Sequence, residues 1–366
     1  MKILCITDQF EGSDHSSIEG IFGRYLQEWC EVFLVFFTRA DSCRREGNKI
    51  YVPYRCKRSG PTKVLSKLVA LDQIDTVIVR NLFPVLKDVL RNKKNFHYRI
   101  GFWHSFPHSY RRLFEAQKER RAVVRKAIEY KIRTHFEKKL MGKCDFLITM
   151  SQEFKDRFYA DIDIKHLPLP MGVSFDAAPS YSSEVNKVRK FIYTGTVDHL
   201  RETELIASAF AGMEENFVLD IFTKSDNATT KRIRNLGDPK ITIHPAVPRG
   251  ELLKKMLQYD IGIGLTPENS LYRVSSPTKT LEYYSVGLPA LINYLPEYIS
   301  LFDKESAFFC NFTREDIQTA VGIILKTPKE RLIEMGSKGR DIVKEKRDYK
   351  VLSEELYSFL RYRACE

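Results

Sequence analysis

Two side chains of opposite charge stand one helical turn apart in the stretch SPTKTLEYYSVGLPALINY, residues 276–294. Lys279 follows a Ser-Pro turn, and Glu282 lies among Leu281, Tyr283 and Tyr284, which favour burial. A buried carboxylate without a partner is expensive, so Glu282 needs one. Its two acceptor oxygens suit a vicinal diol such as O2 and O3 of a ribose; a backbone N–H or a lysine nearby is the plainer alternative. Lys279 opens the predicted helix, where a cation beside free N–H groups makes a natural diphosphate site. Ser275 and Ser276 add hydroxyl and backbone donors. Arg201 follows the loop GTVDHL, which leaves a strand at Gly195. A guanidinium there can take phosphate oxygens two at a time, or it can pair with Glu202 or Glu204. Gly195 and Thr196 let the backbone approach a nucleotide closely, and Lys224 ends the run FVLDIFT. His104 ends the run RIGFW, a strand terminus from which a side chain meets ligands.

Positioning these residues takes parallel sheets. Short β-branched and aromatic runs alternate with helix-length segments almost throughout. In the first half the predicted strands are KILCIT, EVFLVFF, KIYVPY, TVIVR, YRIGFW, FLITM and IKHLPL. In the second they are KFIYTGT, FVLDIFT, ITIHPAV, IGIGL, PALINY and AFFCNF. Apolar runs with little alternation fit strands covered on both faces. The polar segment SFDAAPSYSSEVNK, residues 174–187, reads as an interdomain linker, and residues 351–363 as a C-terminal helix. The expected organisation is an N-terminal domain over 1–173, a second over 174–345, and a helix over 346–366 returning to the first. Two doubly wound α/β domains in series offer a ligand cleft where their strand C-termini face each other.

The formal net charge of +12 is unevenly spread. Residues 1–176 hold 32 Lys and Arg against 21 Asp and Glu, and the remainder 27 against 26. A basic first half suits an anionic membrane, an acidic substrate or nucleic acid. Its densest part, residues 110–143, carries twelve Lys and Arg against four Glu, with Val123, Ala127, Tyr130 and Phe136 at spacings one helix face can hold. A surface helix with one buried face and a basic face resting on anionic lipid both fit. Aromatics do not interleave with these cations as a nucleic-acid stacking platform requires, so no nucleic acid is expected. No window approaches the roughly 18 apolar residues of a spanning helix, and MKILCIT is a strand-like opening rather than a signal peptide. Seven scattered cysteines without metal-ligand spacing read as thiols of a reducing cytoplasm. Asp161-Ile162-Asp163 is a D-x-D, read as a solvated turn rather than a metal site.

A resemblance ties these segments together. In order along the chain, EGIFGRYLQEW, CDFLITMSQEFKDRF, LPLPMGVSFD, YTGTVDHLRETELIASAF, ELLKKMLQYDIGIGLTP and SPTKTLEYYSVGLP resemble the motifs of retaining nucleotide-sugar glycosyltransferases of family 4, among the group 1 glycosyl transferases. The resemblance implies the GT-B fold, two facing Rossmann-like domains with a nucleotide-sugar cleft between them. It implies a hexosyltransferase-like, metal-independent enzyme that moves a sugar from a nucleoside diphosphate donor to a glycan or lipid-linked acceptor, in bacterial surface polysaccharide synthesis. No cofactor is implied beyond that donor, and the location is cytoplasmic or peripheral on the inner face of the membrane. By the same resemblance Glu282 holds the ribose, Arg201 and Lys279 the leaving diphosphate, Gly20 brings backbone N–H groups to it, and His104 lies near the transferred sugar. Three positions depart from the motifs: Val274 stands for a glutamate, Glu202 for a glycine and Met171 for an asparagine. Val274 and Glu202 motivate one rival, a non-catalytic nucleotide-binding scaffold with the same fold, and the basic first half motivates another, a nucleic-acid-binding protein.

Overall fold

The computed structural model describes residues 1–13, 15–175 and 188–362. Most of the predicted linker therefore lies outside the described residues, as does Cys365. The chain divides into two compact units, Met1–Met171 with Tyr349–Glu366, and Gly172–Asp348.

In the first unit eight strands form one sheet: β1 (Lys2–Phe10), β2 (Glu31–Thr38), β3 (Arg44–Glu46), β4 (Lys49–Pro53), β5 (Thr76–Arg80), β6 (Arg99–His104), β7 (Phe146–Thr149) and β8 (His166–Pro168). Their order is β3-β4-β2-β1-β5-β6-β7-β8, parallel except where β3 pairs antiparallel with β4. Every predicted strand of this half is present, and β3 is an addition. Its sequence, Arg-Arg-Glu, carries no apolar signal, because an edge strand needs only main-chain partners. The helices are the single turns α1 (Cys56–Ser59) and α2 (Thr62–Leu65), then α3 (Phe83–Phe96), α4 (His108–Lys118), α5 (Val123–Met141) and α6 (Gln152–Tyr159). Capping sets some of their limits: Ser151 accepts a hydrogen bond from the Phe154 amide at 3.1 Å to open α6, and His97 closes α3 with φ of 55°. The basic run is two helices, not one. Arg120 and Ala122, both at φ of 51°, break it between α4 and α5.

The second unit holds β9 (Arg189–Thr194), β10 (Phe217–Thr223), β11 (Ile241–Pro245), β12 (Ile261–Ile263), β13 (Ala290–Asn293) and β14 (Ala307–Cys310). They form an all-parallel sheet in the order β11-β10-β9-β12-β13-β14. Its helices are α7 (Thr203–Phe210), α8 (Ala228–Arg234), α9 (Arg249–Met256), α10 (Thr278–Ser285), α11 (Pro296–Leu301), α12 (Arg314–Lys326) and α13 (Lys329–Arg347). Phe191, Phe210 and Phe217 meet edge to face at the heart of its core. The last helix, α14 (Tyr349–Arg361), belongs to the first unit, where Tyr349, Leu352 and Leu356 join Ile3, Cys5 and Ile78 in one apolar cluster.

Each sheet begins in its middle and is wound outward both ways, which leaves a switch point between β1 and β5 and another between β9 and β12. Loops that leave neighbouring strands in opposite directions open a crevice at their C-terminal ends. The candidate residues gather at these two places. Helix α13 is held close to the second sheet at Gly336, where an added Cβ would lie 1.9 Å from the Gly287 carbonyl oxygen. Backbone cannot step aside as a side-chain tip can. Gly336→Ala is therefore expected to lower stability by about 1–3 kcal/mol, measured by chemical denaturation of the purified protein; an unchanged midpoint would show that α13 shifts freely.

Candidate functional site

At the switch point of the second sheet, β9 runs into Gly195, whose φ of 122° suits glycine and whose missing side chain would meet nothing within 4 Å. Gly195 and Thr196 are exposed. The loop is nonetheless fixed: the Val197 amide donates to the Ser225 hydroxyl at 3.1 Å, and Asn227 donates to the Val197 carbonyl at 2.8 Å. Tyr193 donates its hydroxyl to the Thr196 carbonyl at 3.0 Å. Arg201 is held by Asp198, through its backbone amide at 2.8 Å and its guanidinium at 2.7 Å, rather than by Glu202 or Glu204. Its guanidinium lies 5.7 Å from the Tyr272 ring centroid. Glu202 sits at φ of 50° in the left-handed region. That conformation is the one glycine takes without strain, so the departure from the motif changes the residue while keeping the turn.

Lys279 lies in the first turn of α10, and its ammonium donates to the Leu265 carbonyl at 2.9 Å while resting 4.2 Å from the Tyr193 ring centroid. No carboxylate pairs with it among the described residues. Burial first, and then the Arg201 charge, bring its pKa down to about 7. Lys279 and Arg201 thus feel each other's charge. The hydroxyls beside them are engaged: Ser275 donates to the Tyr272 carbonyl at 2.6 Å, and Ser276 donates to Glu297 at 2.7 Å. A hydroxyl has one proton to give, so in this arrangement both shape the loop. Glu282 has a protein partner, Arg249, whose Nε donates to it at 3.0 Å. Arg249 opens α9, and its Nη2 is buried without a hydrogen-bond partner. Sequence reasoning missed this arginine. Lys224, after β10, is exposed and lies in no ion pair among the described residues.

The first unit's switch point brings together Asp8 after β1, Asn81 after β5, and His104 with Ser105 at the end of β6. Asp8 pairs with Arg80 and accepts from the Asn81 amide at 3.0 Å. That amide also donates to the Ser105 hydroxyl at 2.9 Å. His104 is only 2% exposed, caged by Phe83, Phe102, Phe154 and Tyr159. Its Nδ1 lies 2.8 Å from the Tyr159 hydroxyl. Burial, with a smaller push from His108, lowers its pKa to about 3 and keeps it neutral. Asp8, His104 and Asn81 border a groove of about 1350 Å³ walled by α3 and α5. Gly20 has a packing reason: a Cβ there would fall 2.3 Å from the Tyr349 ring. Asp161, of the D-x-D, takes the Lys138 ammonium at 2.5 Å, and no cluster of metal-binding side chains occurs among the described residues.

Residues 211–357 match the family described as glycosyl transferase-like. A comparison with curated protein sequences finds no match. Among solved structures, the chain is similar to sucrose-phosphate synthase from Thermosynechococcus elongatus, at 13% identity and TM-score 0.72, covering 99% of this chain and 98% of that one. It is similar to a structure described as trehalose-6-phosphate from E. coli bound with UDP-2-fluoro glucose, at 10% identity and TM-score 0.69, covering 99% and 100%. It is also similar to the lipopolysaccharide outer core galactosyltransferase WaaB, at 13% identity and TM-score 0.68, covering 98% and 99%. The fold is GT-B, built from two Rossmann-like units. The resemblance met in the sequence is supported over residues 211–357, which are glycosyl transferase-like.

The Lys279 ammonium sets a pH dependence. Its folded pKa of about 7 lies below the ordinary 10.5, so above pH 7 the unfolded chain binds more protons than the folded one. Stability from this group therefore rises between about pH 7 and 10.5. In denaturant titrations across that window, Lys279→Met should remove the rise. An identical pH slope in the variant would show that Lys279 keeps an ordinary ammonium.

Proposed function

We propose that the protein is a retaining glycosyltransferase that moves a sugar from a nucleoside diphosphate sugar to a glycan or lipid-linked acceptor. The observation that carries the reading is Lys279: a half-buried lysine at a helix start whose ammonium feels a guanidinium and pairs with no carboxylate among the described residues. A diphosphate would supply the missing counter-charge and draw on the α10 N-terminus as well. Gly195 and Thr196 leave the adjoining backbone open to the nucleotide. Glu282, to which Arg249 donates at 3.0 Å, is assigned to the ribose diol. Exposed Lys224 contributes positive charge at the nucleotide side. The first unit takes the acceptor, with Asp8 and Asn81 accepting and donating to hydroxyls, and neutral His104 forming the adjacent wall.

In this mechanism a leaving phosphate oxygen takes the acceptor proton on the face from which the phosphate departs. No side-chain nucleophile is needed, and catalysis is positioning and electrostatic stabilisation of the departing charge. The names of the similar structures support the class: one is described as bound with UDP-2-fluoro glucose, and another as a lipopolysaccharide galactosyltransferase. The second name supports a role in bacterial surface polysaccharide synthesis, for which we place the protein at the cytoplasmic side. No described helix is long and apolar enough to cross a membrane, and the cations of α4 and α5 suit peripheral attachment to an anionic inner leaflet.

Release of nucleoside diphosphate from a broad donor panel tests the reading. Nucleotide binding without release from any donor would favour a scaffold. Glu282→Ala should weaken donor binding about tenfold or more, the value of a lost hydrogen bond to a charged group, with the unfolding midpoint retained. Donor affinity equal to wild type in that variant would remove Glu282 from the site. Turnover should also persist in EDTA, because helix N-termini, Arg201 and Lys279 supply the positive charge. Loss of turnover that magnesium or manganese restores would assign that work to a metal.

A further inference from the structure

The groove of the first unit has a feature the donor chemistry does not use. On α5, Val124, Ile128, Ile132 and Phe136 recur at every fourth position and are 75%, 55%, 56% and 61% exposed. Residues so spaced form one stripe, here about 18 Å long at about 1.5 Å per residue. Phe136 is therefore on an exposed stripe, not on the buried side with Ala127 and Tyr130. Three of the four, Ile128, Ile132 and Phe136, line the groove. Single exposed apolar residues are ordinary, but a contiguous run of them beside a cavity marks a contact surface.

The same groove is cationic. Lys87 and Arg91 on α3 face Lys139 and Lys143 at the far end of α5; all four are exposed and lie in no ion pair among the described residues. A neighbouring depression shares Lys87, Arg91 and Lys143 and adds Lys94 and His97. The carboxylates at the groove are already engaged. Glu129 pairs with Lys126, Asp88 accepts from Thr62, and Glu137 accepts from Ser109 at 2.6 Å, its acidity weakened by burial. Cations line the groove elsewhere too, among them Lys57, Arg112 and Arg125, but the cluster of Lys87, Arg91, Lys139 and Lys143 beside hydrocarbon along the helix suits an occupant that is anionic at that cluster and apolar along the stripe.

We propose that this groove holds the acceptor as a phosphate-headed lipid, its phosphate against Lys87, Arg91 and Lys143 and its hydrocarbon along Ile128, Ile132 and Phe136. The assignment of the lipid as acceptor rests on the first unit being the acceptor side; the binding site itself does not. Arginine and lysine together give the phosphate both bidentate and point-charge contacts. The apolar stripe leaves water only when a chain lies on it.

The test is binding, by calorimetry, of three probes below any micelle concentration: dihexanoyl phosphatidic acid, dihexanoyl phosphatidylcholine and inorganic phosphate. Phosphatidic acid should bind about tenfold or more tightly than either of the others. Ile132→Asn with Phe136→Asn should weaken phosphatidic acid about tenfold and leave inorganic phosphate unchanged. Arg91→Gln with Lys143→Gln should weaken both. All four positions are exposed, so the unfolding midpoint should hold. Equal affinity for phosphatidic acid and inorganic phosphate would reduce the groove to an anion site; equal affinity for the two lipids would reduce it to an apolar patch. Either result, or no binding, overturns the inference. Nucleoside diphosphate binding by the same samples separates the two readings: its absence beside intact lipid binding sinks the donor assignment alone, and the reverse sinks this one alone.

Discussion

The second unit is organised around one ammonium that has no counter-charge. Lys279 is held by a carbonyl and the face of a tyrosine, with Arg201 close enough to raise the cost of its charge. The residue is half-buried, and a poorly solvated charge without a partner marks a place that something outside the chain can complete. The neighbouring groups follow the same logic. Asp198 fixes Arg201 by backbone and side chain together, so the guanidinium is positioned without drawing on the carboxylates of α7. Ser276 reaches Glu297, which also holds Arg347, so the turn before Lys279 is anchored from the far side of its own unit.

How much of this was legible beforehand depended on the sequence separation of the partners. Each apolar run named from the sequence became a strand, because a strand buried on both faces leaves a local signature that few other elements share. The Glu282–Arg249 pair joins residues 33 apart in the chain. Nothing near Glu282 announces it, and the reading could say only that a partner must exist. Gly20 shows the converse. Its glycine-rich context pointed to backbone approaching a ligand, yet its close neighbour is Tyr349, more than three hundred residues away. A glycine requirement states that something is near, and only the fold says what.

The basic run failed as a single element for a local reason that composition hides. Arg120 and Ala122 both adopt left-handed backbone, which side chains with a Cβ resist. No glycine or proline marks the break, so the charge pattern read as continuous. The error carried into the assignment of faces. Breaking the run lets α5 take its own rotation, which puts Phe136 with Ile128 and Ile132 in the open and leaves Glu137 buried against Ser109. A helix with apolar residues on more than one side has no single face to bury. Periodicity arguments are weakest in that case.

The two units use positive charge in opposite ways. In the second, a few cations are buried or pinned, so each acts at short range in a poorly screened setting and selects by geometry. In the groove of the first, the cations are many, exposed and solvated, and their influence decays over a Debye length of about 8 Å at physiological salt. Charges of the second kind recruit more than they discriminate. Discrimination there falls to groups other than the cations, the floor of Asp8, Asn81 and His104 and the apolar stripe of α5. A ligand carrying only an anion would satisfy the cations and leave the stripe wet; one carrying only hydrocarbon would leave the cations without partners. The groove is complementary to a molecule that has both, and its specificity follows from that conjunction rather than from any one contact.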